Sequence, residues 1–372
     1  MIYTGIYGEE HQNVTGIYDK LGSVHRDLGQ LSRAREYLEK SLFIFKKTGN
    51  KCSVAGGYSN LGNVYSNLGK HSQAKEYYEK ALVIHEGLYC DEDLAVLKAL
   101  YHNNLGNACG KLGQHIQAIE HLLKALDIRK GIRGEYDVSV ADSYDNLRIV
   151  YRKLGQHSQA KECSEKALSI RKKIYGEEHP RVARSCQSLG VNYSELGQHN
   201  QAKECHEKAL SIRKKIYGEE HPDAAASCHD LGVDYSNLGQ HNQAKECHER
   251  ALSIKKMIYG EKHPDVAASY KGLAYVYYKL KQHNQAKECN EKSLNIRKKI
   301  YGEEHPDVAS SYNNMGVDYE TLGNYKEAKE CHEKALMIRK KIYGEGHPKV
   351  EASYHNLRLL NKKRSQSCSN EK

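Results

Sequence analysis

The residues able to do chemistry in this 372-residue chain are its 11 cysteines and 21 histidines. In places they stand side by side, as in Cys205-His206, Cys247-His248 and Cys331-His332, the two side-chain types that hold zinc most often. The spacing argues against that use. Adjacent helical residues point some 100° apart, so one ion does not reach both, and no C-x-x-C couple is present. Nor is there a G-x-x-x-x-G-K-[ST] phosphate loop, an H-E-x-x-H or a G-x-S-x-G. Nine histidines fall in His-Pro linkers or Leu-Gly-Gln-His turns, where position in the chain explains them. The chain reads as a non-enzyme with no catalytic residue, cofactor, metal or small-molecule substrate.

The elements that must position these residues repeat. The stretch from Tyr175 to Ile216 has near copies opening at Tyr217, Tyr259, Tyr301 and Tyr343, a step of 42 residues. All five prolines (Pro180, Pro222, Pro264, Pro306 and Pro348) share that register. A fixed period of this size marks a solenoid. Within the unit, Gly176 stops one helix and Pro180 suits the first turn of the next. Helix A is expected over 180–195, with Val182, Cys186, Leu189 and Tyr193 on one stripe. Leu196-Gly197 ends it. Helix B follows over 200–217, with Ala202, Cys205, Ala209, Ile212 and Ile216 facing inward. A single pair leaves its apolar stripe uncovered, so pairs must stack.

Cys163, Cys205, Cys247, Cys289 and Cys331 hold one position on successive B helices. Equivalent positions stand about a helix diameter apart, beyond disulfide reach, so these thiols read as reduced small core hydrophobes.

The string Tyr58-Leu61-Gly62-Tyr65-Ala74-Tyr78-Ala81 resembles the tetratricopeptide repeat, and Cys186-Leu189-Gly190-Tyr193-Ala202-Ala209 resembles it with a smaller first residue. The 42-residue unit with IRKKIYGEEHPDVA between pairs looks like kinesin light chain and nephrocystin-3-type arrays. The 40-residue step from Leu21 to Leu61 is similar to Pins-like G-protein regulators. The resemblance implies an all-α fold, a right-handed superhelical α-solenoid of antiparallel helix pairs. Eight pairs and a ninth A helix would occupy 14–361, after a partial repeat linker at 1–13 and before a disordered polar and basic tail at 362–372. The opening Tyr7-Gly8-Glu9-Glu10-His11 is itself a repeat linker, as a fragment of a longer protein or an incomplete gene model would show. Two repeats depart from pattern: in one Arg148 replaces a glycine, which should disturb local packing, and in another Ala274 replaces the glycine and Leu280-Lys281 replaces Leu-Gly.

The resemblance also supplies a site. In tetratricopeptide families the A helices line the inner, concave face, and the residue before the Leu of Leu-Gly meets the ligand backbone. Here that residue is Asn60, Asn104, Asn146, Asn314 or Asn356, with Ser188 and Asp230 as polar substitutes and Lys20 and Gly272 as departures. Asn offers a donor and an acceptor to one peptide bond. Asn63 and Asn107 lie three residues on, and Lys111 and Lys153 would favour an acidic peptide.

The formal charge of +10 does not by itself argue for nucleic acid. Arg171-Lys172-Lys173 ends a B helix and Glu177-Glu178 precedes an A helix, so the charges complement helix dipoles. No run is long and apolar enough to span a membrane, and MIYTGIYGEEH lacks a secretory core, which points to the cytoplasm. Three roles follow: a scaffold or adaptor binding an acidic peptide or partner domain, a cargo-binding subunit like a kinesin light chain (though without the heptad segment that joins a heavy chain), or a basic RNA-binding solenoid. Core placement of Tyr58, Tyr65, Tyr144, Tyr151 and Tyr193 leaves few rings to stack on bases and favours the scaffold.

Overall fold

The computed structural model describes residues 12–88 and 92–370, which form seventeen α-helices and no strand. The opening linker and the expansion around Tyr89-Cys90 lie outside the described residues. Two compact units divide the chain at Ser185 and Cys186. The first holds α1 (Gln12–Asp27), α2 (Leu31–Thr48), α3 (Lys51–Asn67), α4 (His71–Glu86), α5 (Glu92–Lys111), α6 (His115–Arg133), α7 (Val138–Lys153), α8 (His157–Tyr175) and the first turns of α9 (Pro180–Glu195). The second holds the rest of α9, then α10 (His199–Tyr217), α11 (Pro222–Asn237), α12 (His241–Tyr259), α13 (Pro264–Lys279), α14 (His283–Tyr301), α15 (Pro306–Thr321), α16 (Tyr325–Tyr343) and α17 (Pro348–Asn370). Odd-numbered helices are the A helices and even-numbered ones the B helices.

The linker residues each have a mechanical part. In unit 2 the rings of His221, His263 and His305 stack on Tyr217, Tyr259 and Tyr301, with centroids 4.2–4.4 Å apart. Nδ1 of each histidine accepts the backbone N–H of Asp223, Asp265 or Asp307, capping α11, α13 and α15. Proline then occupies the first turn, where its missing donor costs nothing. Lys281 takes a left-handed conformation (φ 60°) that glycine holds in the other turns of this type, such as Gly239 and Gly323.

Within a pair, the glycine of Leu-Gly on helix A meets a bulky B-helix side chain sixteen residues on. A Cβ at Gly62 would stand 2.5 Å from the Tyr78 ring, at Gly106 2.7 Å from Leu122, at Gly232 2.8 Å from His248 and at Gly316 2.6 Å from His332. Arg148 departs from this rule and is accommodated, because Ser164 takes the bulky position in that repeat. Asp145 lies 3.5 Å from its Nε.

The two units fill their cores differently. In unit 1 a long apolar cluster runs from Ala55 and Tyr65 through Leu105 and Val150 to Ile170, beside a smaller one around Leu38 and Leu61. In unit 2 the apolar core splits into separate clusters around Tyr270 and Tyr312. The position held by Val64, Val150 and Val276 is Asn192, Asp234 or Asp318 in the other unit 2 repeats, all almost wholly buried.

Three expectations need correction. The inner stripe of α10 is Ala202, His206, Ala209, Ile212 and Arg213; Ala202, Ala209 and Ile212 face inward as expected, but Cys205 is only half-buried and Ile216 is 40% exposed. The cysteine row borders the core one residue off its centre, although Cys163, Cys289 and Cys331 are buried, and the described cysteines are free thiols. Helix α17 continues to Asn370, because no glycine or proline interrupts its polar end, and Lys363 there pairs with Glu320.

The glycine contact makes a direct prediction. His332 has no hydrogen-bond partner on either ring nitrogen, so its ring acts there only as volume. Gly316→Ala should lower stability by about 1–3 kcal/mol through overpacking. Adding His332→Ser, as the Arg148 repeat does naturally with Ser164, should restore most of the lost urea midpoint; a double variant as weak as the single one would refute this account.

Candidate functional site

In unit 1 the predicted asparagines stand half-buried along the A helices and bridge them. Asn60 Nδ2 donates to Asp19 Oδ1 (3.0 Å), Asn104 Nδ2 to Asn63 Oδ1 (3.4 Å) and Asn146 Nδ2 to Asn103 Oδ1 (2.8 Å). Asn63 Oδ1 also accepts from Tyr78 Oη (2.8 Å). Asn107 and Lys111 are exposed, and exposed Lys153 donates to the Gly110 carbonyl at 3.4 Å. In unit 2, Asn356 Nδ2 donates to Asn313 Oδ1 (2.6 Å) and Asn314 faces a cavity. Within each unit the register places these residues on the A helices, but much of their hydrogen-bonding capacity joins helix to helix.

That cavity has a volume of 630 Å³. Helices α11, α13 and α15 form its walls through Val233, Lys271, Gly272, Tyr275, Asn314 and Val317, while His248, Asn290 and Arg297 of α12 and α14 form its floor. It opens where Gly272 replaces the asparagine of other repeats. A Cβ at Gly272 would stand 3.0 Å from the His248 ring. Only Asn314 of the predicted residues borders it. The signal missed was Gly272 itself, which looked like a departure from the pattern and is the opening.

The buried polar groups beneath are set apart by their partners. His206 Nδ1 donates to Asp234 Oδ2 (2.5 Å) and its Nε2 lies 3.3 Å from the Gln187 carbonyl. Burial opposes protonation of His206, yet Asp234 outweighs it and holds the imidazole above its ordinary pKa. His248 meets Val276 at the corresponding place and has no such acid. Burial first, then His229 and Lys255, push it down to about 3. Burial likewise raises the Asp318 carboxyl to about 6, partly offset by the hydrogen bond it accepts from Asn290 (2.6 Å).

Models described as Tetratricopeptide repeat match residues 14–48, 55–87 and a series of overlapping spans from 96 to 360. The chain belongs to the tetratricopeptide repeat family. Among solved structures, it is similar to the nearly identical TPR-like repeats of a putative kinesin light chain from Podosopora anserina, with 31% identity over 55% of this chain and 97% of that one and a TM-score of 0.50. BtubC (BKLC) from P. vanneervenii shares the fold at 20% identity, 70% and 95% coverage and a TM-score of 0.51. So does a Rap protein complexed with Competence and Sporulation Factor, at 15% identity, 95% and 98% coverage and 0.52. No curated protein matches the chain. No described helix is long and apolar enough to cross a membrane.

The titration of His248 has a defined sign. The unfolded chain takes up its proton near pH 6.5 and the folded chain only near 3, so stability falls as pH drops below about 6.5, at about 1.4 kcal/mol per pH unit for this group. His248→Leu, matching Leu122 at that register, should remove this loss. Its advantage over the parent in urea midpoint should widen between about pH 7 and pH 5; a constant difference would show that His248 does not titrate this way.

Proposed function

We propose that this protein is a non-enzymatic cytosolic scaffold or adaptor that binds an extended acidic peptide, or an extended segment of a partner domain, along its A helices. The observation that supports it most is the unit 2 cavity, which is walled by three successive A helices at the register where the family meets its ligands. In unit 1 the Oδ1 atoms of Asn104 and Asn146 are left without partners after their Nδ2 atoms bridge neighbouring helices. They can accept ligand N–H groups, and exposed Lys111 and Lys153 supply positive charge beside them. Nucleic acid fits less well, since Tyr65 and Tyr144 are buried and Tyr58, Tyr151 and Tyr193 half-buried, which withholds their faces from bases.

The test is the Asn104→Ala/Asn146→Ala double variant, measured against an acidic peptide selected on the full chain from a random library. Affinity should fall by about 1–3 kcal/mol, at about 0.5–1.5 for each lost bond. Thermal stability should fall slightly too, because the same amides tie A helices together; this revises the neutral outcome that helix propensity alone predicts. Salt should weaken both proteins alike, as the lysines remain. Undiminished affinity for every selected peptide would remove the A-helix row of unit 1 as the binding surface.

A second reading, a cargo-binding motor subunit, draws on the 31% identity to repeats titled as a putative kinesin light chain. It requires a stable complex with a kinesin heavy chain, and co-purification from the source cell separates it from a free scaffold.

A further inference from the structure

One register of the B helices carries a cation in six repeats: Arg129, Arg171, Arg213, Lys255, Arg297 and Arg339. The arginines anchor alike. Nη1 of Arg171, Arg213, Arg297 and Arg339 donates to the hydroxyl of the serine fourteen residues on, at 2.6–2.8 Å. The other edge of the guanidinium is what differs. Arg171 Nη2 contacts Asp142 (2.7 Å) and Asp145 (2.6 Å), and Arg213 Nη2 donates to Gln187 Oε1 (2.7 Å).

Around Arg297 the residues at those two registers are Ala268 and Lys271, neither of them an acceptor. All of its hydrogen bonds come from Nη1, to Ser311 and to the Asp307 carbonyl. Arg297 is only 8% exposed, and what it exposes faces the cavity at Gly272. Its Nη2 edge meets no protein acceptor and is not sealed from solvent, so it is available to an anion entering the cavity. Ser236 Oγ and the Nδ1 atoms of His229 and His248, also around this cavity, are buried without partners.

We propose that this cavity receives an aromatic side chain with an anionic tip, a phosphorylated tyrosine of the peptide bound along the A helices. The proposal rests on the peptide-scaffold reading above and names the anchor residue. Volume and wall chemistry select the shaft. At 630 Å³, between Val233, Ala268, Tyr275 and Val317, the space would be left largely empty by a bare carboxylate side chain, whereas a phenyl ring occupies it and covers its apolar walls. Charge selects the tip. The phosphate carries close to two negative charges and faces two cations, Arg297 on the floor and Lys271 at the rim. Asp318 is the carboxylate among the lining residues, and it is turned to Asn290. Arg297 Nη2 and Lys271 Nζ then bind phosphate oxygens in charge-assisted hydrogen bonds.

The test uses the full chain and small probes, so it is independent of the unit 1 asparagines. Isothermal titration with N-acetyl-phosphotyrosine amide should give saturable binding. N-acetyl-tyrosine amide, N-acetyl-glutamate amide and inorganic phosphate should each bind at least about tenfold more weakly. Lys271→Glu, a change at an exposed residue that spares the fold, should weaken the phosphotyrosine probe by about tenfold or more. Arg297→Gln should do the same, while Arg339→Gln, at the same register outside the cavity, should leave it unchanged. Equal binding of the glutamate or tyrosine probe, or an unaltered affinity in Lys271→Glu, would overturn the proposal. Either result would leave the peptide reading standing on its own asparagine test.

Discussion

The constraint on which the fold depends is the close approach of helix A to helix B at the glycine of each Leu-Gly. A methyl group there would intrude on the side chain opposite by an ångström or more, as at Gly62 over Tyr78 and Gly316 over His332. Close packing of this kind needs one small and one large partner, but it does not prescribe which helix carries which. The Arg148 and Ser164 repeat shows the reversed assignment within the same architecture. Volume is conserved across the pair, and the identity of each residue is free to vary around that sum.

That freedom lets polar side chains into the core of unit 2. Once the large partner is histidine instead of leucine or tyrosine, its ring nitrogens require an answer from the next A helix. Asp234 answers His206 directly, and Asp318 answers Asn290 in the same way. His248 meets Val276 and receives none, so its imidazole is held neutral. One row of positions thus contains a histidine–aspartate pair, a lone neutral ring and an amide–acid pair. The apolar core of unit 2 is divided where these groups lie, whereas unit 1 has one long cluster beside a smaller one around Leu38 and Leu61.

The same logic governs the row of B-helix arginines. Anchored identically by a serine, they differ in what the A helix presents to their second edge. Asp142 and Asp145 close the edge of Arg171, and Gln187 closes that of Arg213. At Arg297 the edge stays open, and the loss of one side chain at Gly272 gives access to it. The cavity arises here from two absences in an otherwise regular pattern, and not from an added motif.

Periodicity by itself determined the helices, their order and their termini. The 42-residue step, the prolines and the Leu-Gly turns predict α9 through α16 nearly to the residue, because helix starts and stops are local matters of capping and backbone conformation. It also placed Asn60, Asn104 and Asn146 on one row of A helices. Tertiary structure decided which face of helix B is buried. Cys205 and His206 are neighbours pointing some 100° apart, and hydrophobicity favours the cysteine as the core residue. The glycine opposite makes room for the histidine instead, a contact between residues 190 and 206 that no single helix period reveals. The use of the asparagine amides as bridges, the open edge of Arg297 and the cavity at Gly272 were likewise decided there. Each depends on which side chain of one repeat meets which of the next, and that partnership is set by packing across the stack.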